Sequence, residues 1–373
     1  MTHRTALTGS GTFLPPHSVT NDELCGTFNT WVRRENERRR ADIEAGRFEE
    51  LRESSPAFVE KVSGIRARRY HDASGILDPE RMCPRIPDRD DAALSVQAEM
   101  AKHAALEALA SAELSGEDVD LIIVGASSLQ RPYPAIAIEL QESLRARGVA
   151  FDISVGCSSG TFAIQLASQA LETGAARRAL VCVPELPSAY SNFRDRDSHF
   201  ILGDAAAAVV VQTVEEAGEG AWEIVSSASL SRFSSNVRNN GGFLNRGDEA
   251  HRLDPDKLFY QDGRKVFRDI VRLVPRFVRD QLTAAGLTAG DLARCWLHQA
   301  NGRMNEAIAT RLLGEDVDAE RVPSVLHELG NTAAAGALVA FDRHREGLAP
   351  GSTGILCAFG AGYTIGSQLL RRI

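Results

Sequence analysis

The chain repeats itself. Ala105–Ala112 is Ala/Leu-rich and helical in pattern. It leads through Leu114-Ser-Gly-Glu-Asp-Val-Asp120 into the apolar run Leu121-Ile-Ile-Val-Gly-Ala126. Much later, the amphipathic pattern Val271–Ala285 leads through Leu287-Thr-Ala-Gly-Asp-Leu-Ala293 into Cys295-Trp-Leu-His-Gln-Ala300. Both stretches read as helix, short acidic turn and buried strand. A second correspondence follows. Gly160–Thr173 is a helical pattern closed by Gly174 and followed by the strand Arg177-Arg-Ala-Leu-Val-Cys-Val-Pro184. Gly336–Glu346 is closed by Gly347 and followed by Gly354-Ile-Leu-Cys-Ala-Phe-Gly360. Each pair is displaced by about 175 residues in a chain of 373, too far for a solenoid period. The pattern predicts a duplicated α/β unit whose sheets are buried on both faces between helices. The halves divide at Val214–Gly220, giving residues 1–215 and 216–373. One segment breaks the alternation. Asn29–Glu53 is dense in Arg and Glu around Trp31, Val32, Ile43, Phe48 and Leu51, which predicts a helical insertion with one apolar stripe.

Composition narrows the function. Hydrophobic residues are 43% and charged residues 25%, as in a globular protein with a sizeable core. A net charge of -8 argues against nucleic acid and anionic membranes as partners. The first ten residues lack the charged-then-apolar pattern of a signal peptide, and no apolar run reaches the ~20 residues of a membrane span. The expectation is a cytoplasmic protein. The six cysteines are scattered, with no C-x-x-C and no His pair at zinc spacing, so no metal site is expected.

Four motifs can carry chemistry. In Val155-Gly-Cys-Ser-Ser-Gly-Thr-Phe162 a strand ends at Gly156 and a helix begins just beyond Cys157. A thiol at the positive end of a helix is expected to ionise near neutral pH and act as a nucleophile. Cys182, Cys295 and Cys357 sit in apolar strands and read as core. His298, in Leu297-His-Gln-Ala-Asn301, ends the repeat-related strand of the second half, where an imidazole suits proton transfer or oxyanion support. Asn331, in Leu329-Gly-Asn-Thr332, precedes the repeat-equivalent of the helix after Cys157. There it is a cap or an amide donor to a carbonyl. Phe359-Gly-Ala-Gly-Tyr363 offers a Gly-rich turn whose N–H groups can meet an oxyanion.

Together, Cys157, His298-Gln-Ala-Asn301, Gly330-Asn331-Thr332 and Gly360-Ala-Gly362 resemble the β-ketoacyl-acyl carrier protein synthase III family of thiolase-fold condensing enzymes. Gly64-Ile-Arg-Ala-Arg68 and Leu202-Gly-Asp-Ala-Ala-Ala-Ala208 extend the resemblance over nearly the whole chain. It implies a thiolase-like α/β fold of two related halves. It implies that Cys157 is acylated by an acyl-CoA. His298 and Asn331 would then hold malonyl-acyl carrier protein during decarboxylation, and the backbone N–H groups of Cys157 and Ala361 would form an oxyanion hole. It further implies a homodimer in which Tyr133 reaches the partner subunit's acyl pocket, since Tyr133 and the apolar Ile136–Leu140 stretch follow a strand that the family uses at its two-fold interface. Phe267 would lie on an entrance loop, Asn301 would touch substrate and Arg303 would receive the carrier protein. No cofactor is implied beyond the CoA and phosphopantetheine that substrates carry.

The family's Trp and Arg, which clamp the CoA adenine, align with Phe58 and Val62. Arg66 or the Arg-rich insertion is the expected stand-in. The residue after the nucleophile, usually small and apolar, is Ser158. The insertion and Asn192-Phe-Arg-Asp-Arg-Asp-Ser-His-Phe200 resemble a longer subgroup associated with medium-chain primers. Two other readings are a transferase passing the acyl group to an oxygen or nitrogen acceptor, and a non-catalytic partner of a synthase. Retention of His298 and Asn331 argues against the first, and Cys157 argues against the second.

Overall fold

The computed structural model describes residues 3–90, 92–248, 254–315 and 317–373. The strands of the first half are β1 (Thr5–Phe13), β2 (His17–Thr20), β3 (Ala67–Tyr70), β4 (Leu121–Gly125), β5 (Val149–Ile153), β6 (Arg178–Glu185) and β7 (Ala205–Thr213). Those of the second are β8 (Trp222–Ser234), β9 (Val237–Arg238), β10 (Tyr260–Gln261), β11 (Leu292–Leu297), β12 (Thr353–Gly360) and β13 (Gly362–Arg372). The helices before the turn at 214–221 are α1 (Asn21–Arg38), α2 (Arg40–Glu44), α3 (Pro56–Ser63), α4 (Val96–Ser111), α5 (Ile136–Leu144) and α6 (Ser159–Glu172). Those after it are α7 (Gly263–Ala284), α8 (Gly302–Leu313), α9 (Leu326–Leu329) and α10 (Gly336–His344).

Nine strands form one sheet in the order β11-β12-β13-β8-β1-β7-β6-β4-β5. Read outward from the β8–β1 junction, the run β8-β13-β12-β11 matches β1-β7-β6-β4 in order. The senses match too: antiparallel, antiparallel, then parallel on each side. This is the duplication read from sequence. The acidic turns repeat in atomic detail. Ser115 caps a short turn with Asp118, and Thr288 does so with Asp291, each through a 2.7 Å hydroxyl–carboxylate bond.

Layering follows from strand alternation. On β7, Ala205, Ala207, Val209 and Val211 join a core with α6 and α10, whereas Ala206, Ala208 and Val210 join a core with α4 and α5. On β12, Leu356 and Ala358 face the shared middle core, and Ile355, Cys357 and Phe359 face α7 and α8. Strands buried on both faces need apolar residues at every position, which is why they read as continuous apolar runs. Gly160 lets the two middle helices approach, since a Cβ there would lie 2.8 Å from Leu338 Cδ1. Among the described residues, no helix is long and apolar enough to cross a membrane.

Several local expectations need correction. The insertion is not confined to Asn29–Glu53: α1 begins at Asn21, where Thr20 and Glu23 form a capping box. Its Arg33, Arg38, Arg39, Arg40 and Arg47 pair with acids of the same segment, so its charge is largely spent internally. Its apolar face, with Phe28 and Val32, packs on Val59, Phe193, Phe200 and Ile201. The stretch Ile136–Leu140 is the start of α5; Ile136, Ala137 and Leu140 pack into the chain's own core, while Ile138 is 47% exposed.

Candidate active site

A cavity of about 690 Å³ opens where the ends of β11 and β12 meet the turn before α6. It gathers Cys157, His298 and Asn331, although these lie as much as 174 residues apart in the chain. The duplicated topology explains the meeting. Each half delivers strand ends and a helix start to the same edge of the middle layer, where ligands bind in α/β folds.

Cys157 follows Gly156, whose φ of +64° makes the sharp turn into α6. Gly360 permits close approach from the other side: a Cβ there would lie 2.7 Å from Cys157 Cβ and 2.9 Å from Sγ. The N–H groups of Ala361 and of Cys157 itself are aimed at the sulfur and favour its thiolate. They are outweighed. Burial, with the neighbouring Glu185 carboxylate, pushes the thiol up to about 12. This runs against the expectation of a resting thiolate at neutral pH: desolvation, with Glu185, exceeds what the two amides supply. Iodoacetamide alkylation of Cys157 should accordingly keep rising with pH, by up to about tenfold per unit between roughly pH 6 and 8. Peptide mapping separates it from exposed Cys83. A plateau near pH 7 would contradict this. Ser158 is not an intrusion of polarity. Its hydroxyl is buried within reach of the Ala358 and Thr364 carbonyls at 3.3 and 3.2 Å, so it ties the nucleophile turn to the β12–β13 turn.

His298 is 2% exposed, and its ring meets Phe359 edge-on at 5.3 Å. Burial lowers its pKa to about 4, with the Ala333 backbone partly opposing, so the imidazole is neutral at physiological pH. Asn331 is held by both ends. Its N–H donates to Ile201 O at 2.9 Å, and its Oδ1 accepts from Ala333 N–H at 2.9 Å. That second bond fixes the amide, leaving the Nδ2 donors without a partner among the described residues.

The remaining expected residues divide. Phe58, Phe267, Asn301, Arg303 and Ala361 line the cavity. Phe267 lies on the second turn of α7, not on a loop, because Asp262 caps that helix through Lys265 N–H. Asn301 serves structure. Its Oδ1 caps α8 through Arg303 and Met304 N–H, and its Nδ2 donates to Val62 O at 2.9 Å. Arg303 is exposed at the mouth and makes no ion pair among the described residues. Tyr133 is 82% exposed and stands outside this cavity's lining. Arg66 pairs with Glu60 at 2.7 Å and does not line the cavity. The guanidinium opposite Phe58 comes instead from Arg196, 4.2 Å over its ring. Sequence reasoning flagged Asn192–Phe200 only as a subgroup feature and missed this contact. It also gave no role to His199 within that stretch. That ring is 1% exposed and stacks on Phe28 at 4.4 Å, bracing Phe200 in the cavity wall.

A half-buried thiol beside two convergent N–H groups, a neutral imidazole and an oriented amide, on a duplicated α/β scaffold, define a thiolase-like acyl-transferring enzyme. Residues 151–229 match the family 3-oxoacyl-[acyl-carrier-protein] synthase III, and residues 282–372 match its C-terminal unit. A β-ketodecanoyl-[acyl-carrier-protein] synthase of Pseudomonas aeruginosa is 47% identical over 347 residues, covering 93% of this chain and 99% of the relative. A β-ketoacyl-[acyl-carrier-protein] synthase III of Methylococcus capsulatus is 31% identical over the full length of both chains. The crystal structure of a 3-oxoacyl-(acyl carrier protein) synthase III of Pseudomonas aeruginosa superposes with a TM-score of 0.77 at 26% identity, covering 99% of this chain and 98% of that one. The chain belongs to the β-ketoacyl-[acyl-carrier-protein] synthase III family, and it is an acyltransferase.

Proposed function

We propose that the protein condenses a medium-chain acyl-CoA primer with malonyl-acyl carrier protein through an acyl-Cys157 intermediate. The observation that carries this reading is the convergence of Cys157, His298 and Asn331 on one cavity, with the Ala361 and Cys157 N–H groups aimed at the sulfur. In the first half-reaction the Cys157 sulfur attacks the primer thioester, and CoA leaves as its thiol. The two N–H groups hold the oxyanion that forms. In the second, neutral His298 and the Asn331 amide donate to the malonyl thioester oxygen. As CO₂ departs, the enolate they hold attacks the acyl-Cys157 carbonyl and releases the β-ketoacyl product. The proton of the resting Cys157 thiol passes to the departing CoA sulfur, and the Cys157 sulfur released in the second half-reaction takes up a proton from solvent, which restores the thiol. No cofactor takes part beyond the substrates' own phosphopantetheine.

The medium-chain reading draws support from the relative named for a β-ketodecanoyl product. A condensation of this type lengthens its primer by two carbons, so the primer would be two carbons shorter than that. Phe200, Ile201, Ile270, Met304 and Phe359 give the cavity the apolar walls an alkyl chain needs. The Phe58–Arg196 pair at the mouth offers a stacking surface and a cation to the CoA nucleotide. Arg303, which makes no ion pair among the described residues, offers a cation to an acidic carrier protein. The test is intact mass after incubation with acyl-CoAs from acetyl to dodecanoyl. A medium-chain adduct on Cys157 is expected, and an adduct from acetyl-CoA alone would discard the chain-length assignment.

The active form would be a cytoplasmic homodimer. β5 is the last strand of the sheet, with its outer edge unpaired among the described residues and Val149 62% exposed. Exposed Tyr133 stands beyond its own chain's cavity, free to reach another's. Light scattering at micromolar concentration should give twice the chain mass; a monomer would count against a shared acyl pocket.

A further inference from the structure

Glu185 ends β6 and is fully buried. Its Oε1 accepts from Ser127 N–H at 2.6 Å and from Ala334 N–H at 3.2 Å, and its Oε2 meets the Ser127 hydroxyl at 2.6 Å. A carboxyl in such a place is costly, and packing alone would be served better by an apolar residue. The partners point to a different use. Ser127 follows Ala126, whose carbonyl lies 3.0 Å from the Ser159 hydroxyl. That hydroxyl also meets Gly156 O at 2.7 Å and accepts from Val155 N–H at 3.0 Å, so it brackets the turn that presents Cys157. On the other side, Ala334 follows Ala333, the residue whose N–H orients Asn331. Ala333 stands at φ +47°, a left-handed conformation that an alanine keeps only where its surroundings impose it.

We propose that Glu185 is a positioning residue for the condensation half-reaction: its carboxyl joins the turn that aims Asn331 to the loop beneath the Cys157 turn, keeping amide and sulfur at a fixed separation while charge develops between them. The proposal rests on the roles of Cys157 and Asn331 given above.

Charge supplies a second signature. Burial, with a contribution from Asp204, pushes the Glu185 carboxyl up to about 8, while the three donors oppose the shift. The titratable groups around it are Asp204, raised by burial to about 6; Tyr190, whose hydroxyl is 2.8 Å from Ser127 Oγ and whose pKa burial also raises; and Cys157. Above about pH 8 the ionised carboxyl opposes thiolate formation at Cys157. Below that pH it is neutral and does not.

The test compares full-length wild type, Glu185→Gln and Glu185→Ala. Condensation is followed as CO₂ release from labelled malonyl-acyl carrier protein on pre-acylated enzyme. Glu185→Ala should acylate but condense about ten- to a hundredfold more slowly, the effect of a small misplacement of reacting groups. Glu185→Gln should stay within about threefold of wild type, since its amide oxygen still accepts from Ser127 and Ala334 while its NH₂ donates to the Ser127 hydroxyl. Iodoacetamide alkylation of Cys157 should match wild type near pH 6 in both variants and exceed it severalfold near pH 9, because the charge is gone. Wild-type condensation by Glu185→Ala would overturn the proposal. So would equal losses in acylation and condensation with an unchanged alkylation profile, which would mark a merely structural residue. If wild type itself releases no CO₂, the condensation reading falls and takes this proposal with it. The alkylation difference needs no substrate, so it still tells a failed coupling from a failed function.

Discussion

Cys157→Ala should leave the enzyme unable to acquire an acyl group, so that intact mass after incubation with acyl-CoA shows the unmodified chain alone, whereas Cys182→Ala and Cys357→Ala should acylate as wild type does. The difference is one of place. Cys182 and Cys357 lie at 0% exposure inside β6 and β12, where burial raises their thiols and no substrate reaches them. Cys25 lies on the buried face of α1, and Cys295 lies within β11. Cys83 is exposed but does not line the cavity. Only Cys157 has both a cavity and N–H groups aimed at its sulfur, so no other thiol can substitute. The acylation signal should fall to background. An adduct of wild-type intensity on Cys157→Ala would remove this residue from the mechanism.

His298→Ala and Asn331→Ala separate the two half-reactions. Both variants should still take an acyl group onto Cys157, because the N–H groups of Cys157 and Ala361 remain. Both should then fail at condensation. Negative charge on the malonyl thioester oxygen is absent from the ground state, so donors there act on the barrier rather than on binding. One such donor is worth about 2.7–4 kcal/mol, or 10²–10³ in rate. The structure specifies the form of each donor. His298, with its pKa lowered to about 4, is a neutral imidazole throughout the working range, so the condensation rate should not follow an imidazole titration near pH 6.5. Asn331 has its oxygen committed to Ala333 N–H, so it presents NH₂. Acyl-enzyme by mass and CO₂ release from labelled malonyl substrate, on the same preparations, decide the matter. Condensation at wild-type rate in both variants would favour the plain acyltransferase.

Much of this was legible in the sequence because it depends on local periodicity and on short motifs. The duplication appeared in continuous apolar runs, since strands covered on both faces admit few polar residues. The acidic turns before β4 and β11 announced themselves through Ser115 with Asp118 and Thr288 with Asp291, pairs whose geometry is set within four residues. The candidate residues stood out for the same reason. Cys157, His298 and Asn331 each follow or precede a recognisable strand or helix end, where side chains lie open to a ligand.

What the tertiary structure alone decided concerns how much water reaches a group and what stands across from it. The helix start beside Cys157 is local and predicts a low thiol pKa. The burial that raises it comes from strands and turns on both sides of the fold. A guanidinium near Phe58 was expected from Arg66 or the Arg-rich insertion; the one that stands over its ring is that of Arg196, brought there by a segment more than a hundred residues away. Asn301 lines the cavity, and the packed chain adds a second task that the motif did not show: its side chain caps α8 and ties that cap to Val62. Glu185 reads as the last residue of a buried strand. Only the packed chain places Ser127 and Ala334 against it, since neither partner lies within 50 residues of it in sequence. Desolvation and long-range pairing are sums over neighbours that a linear pattern does not contain.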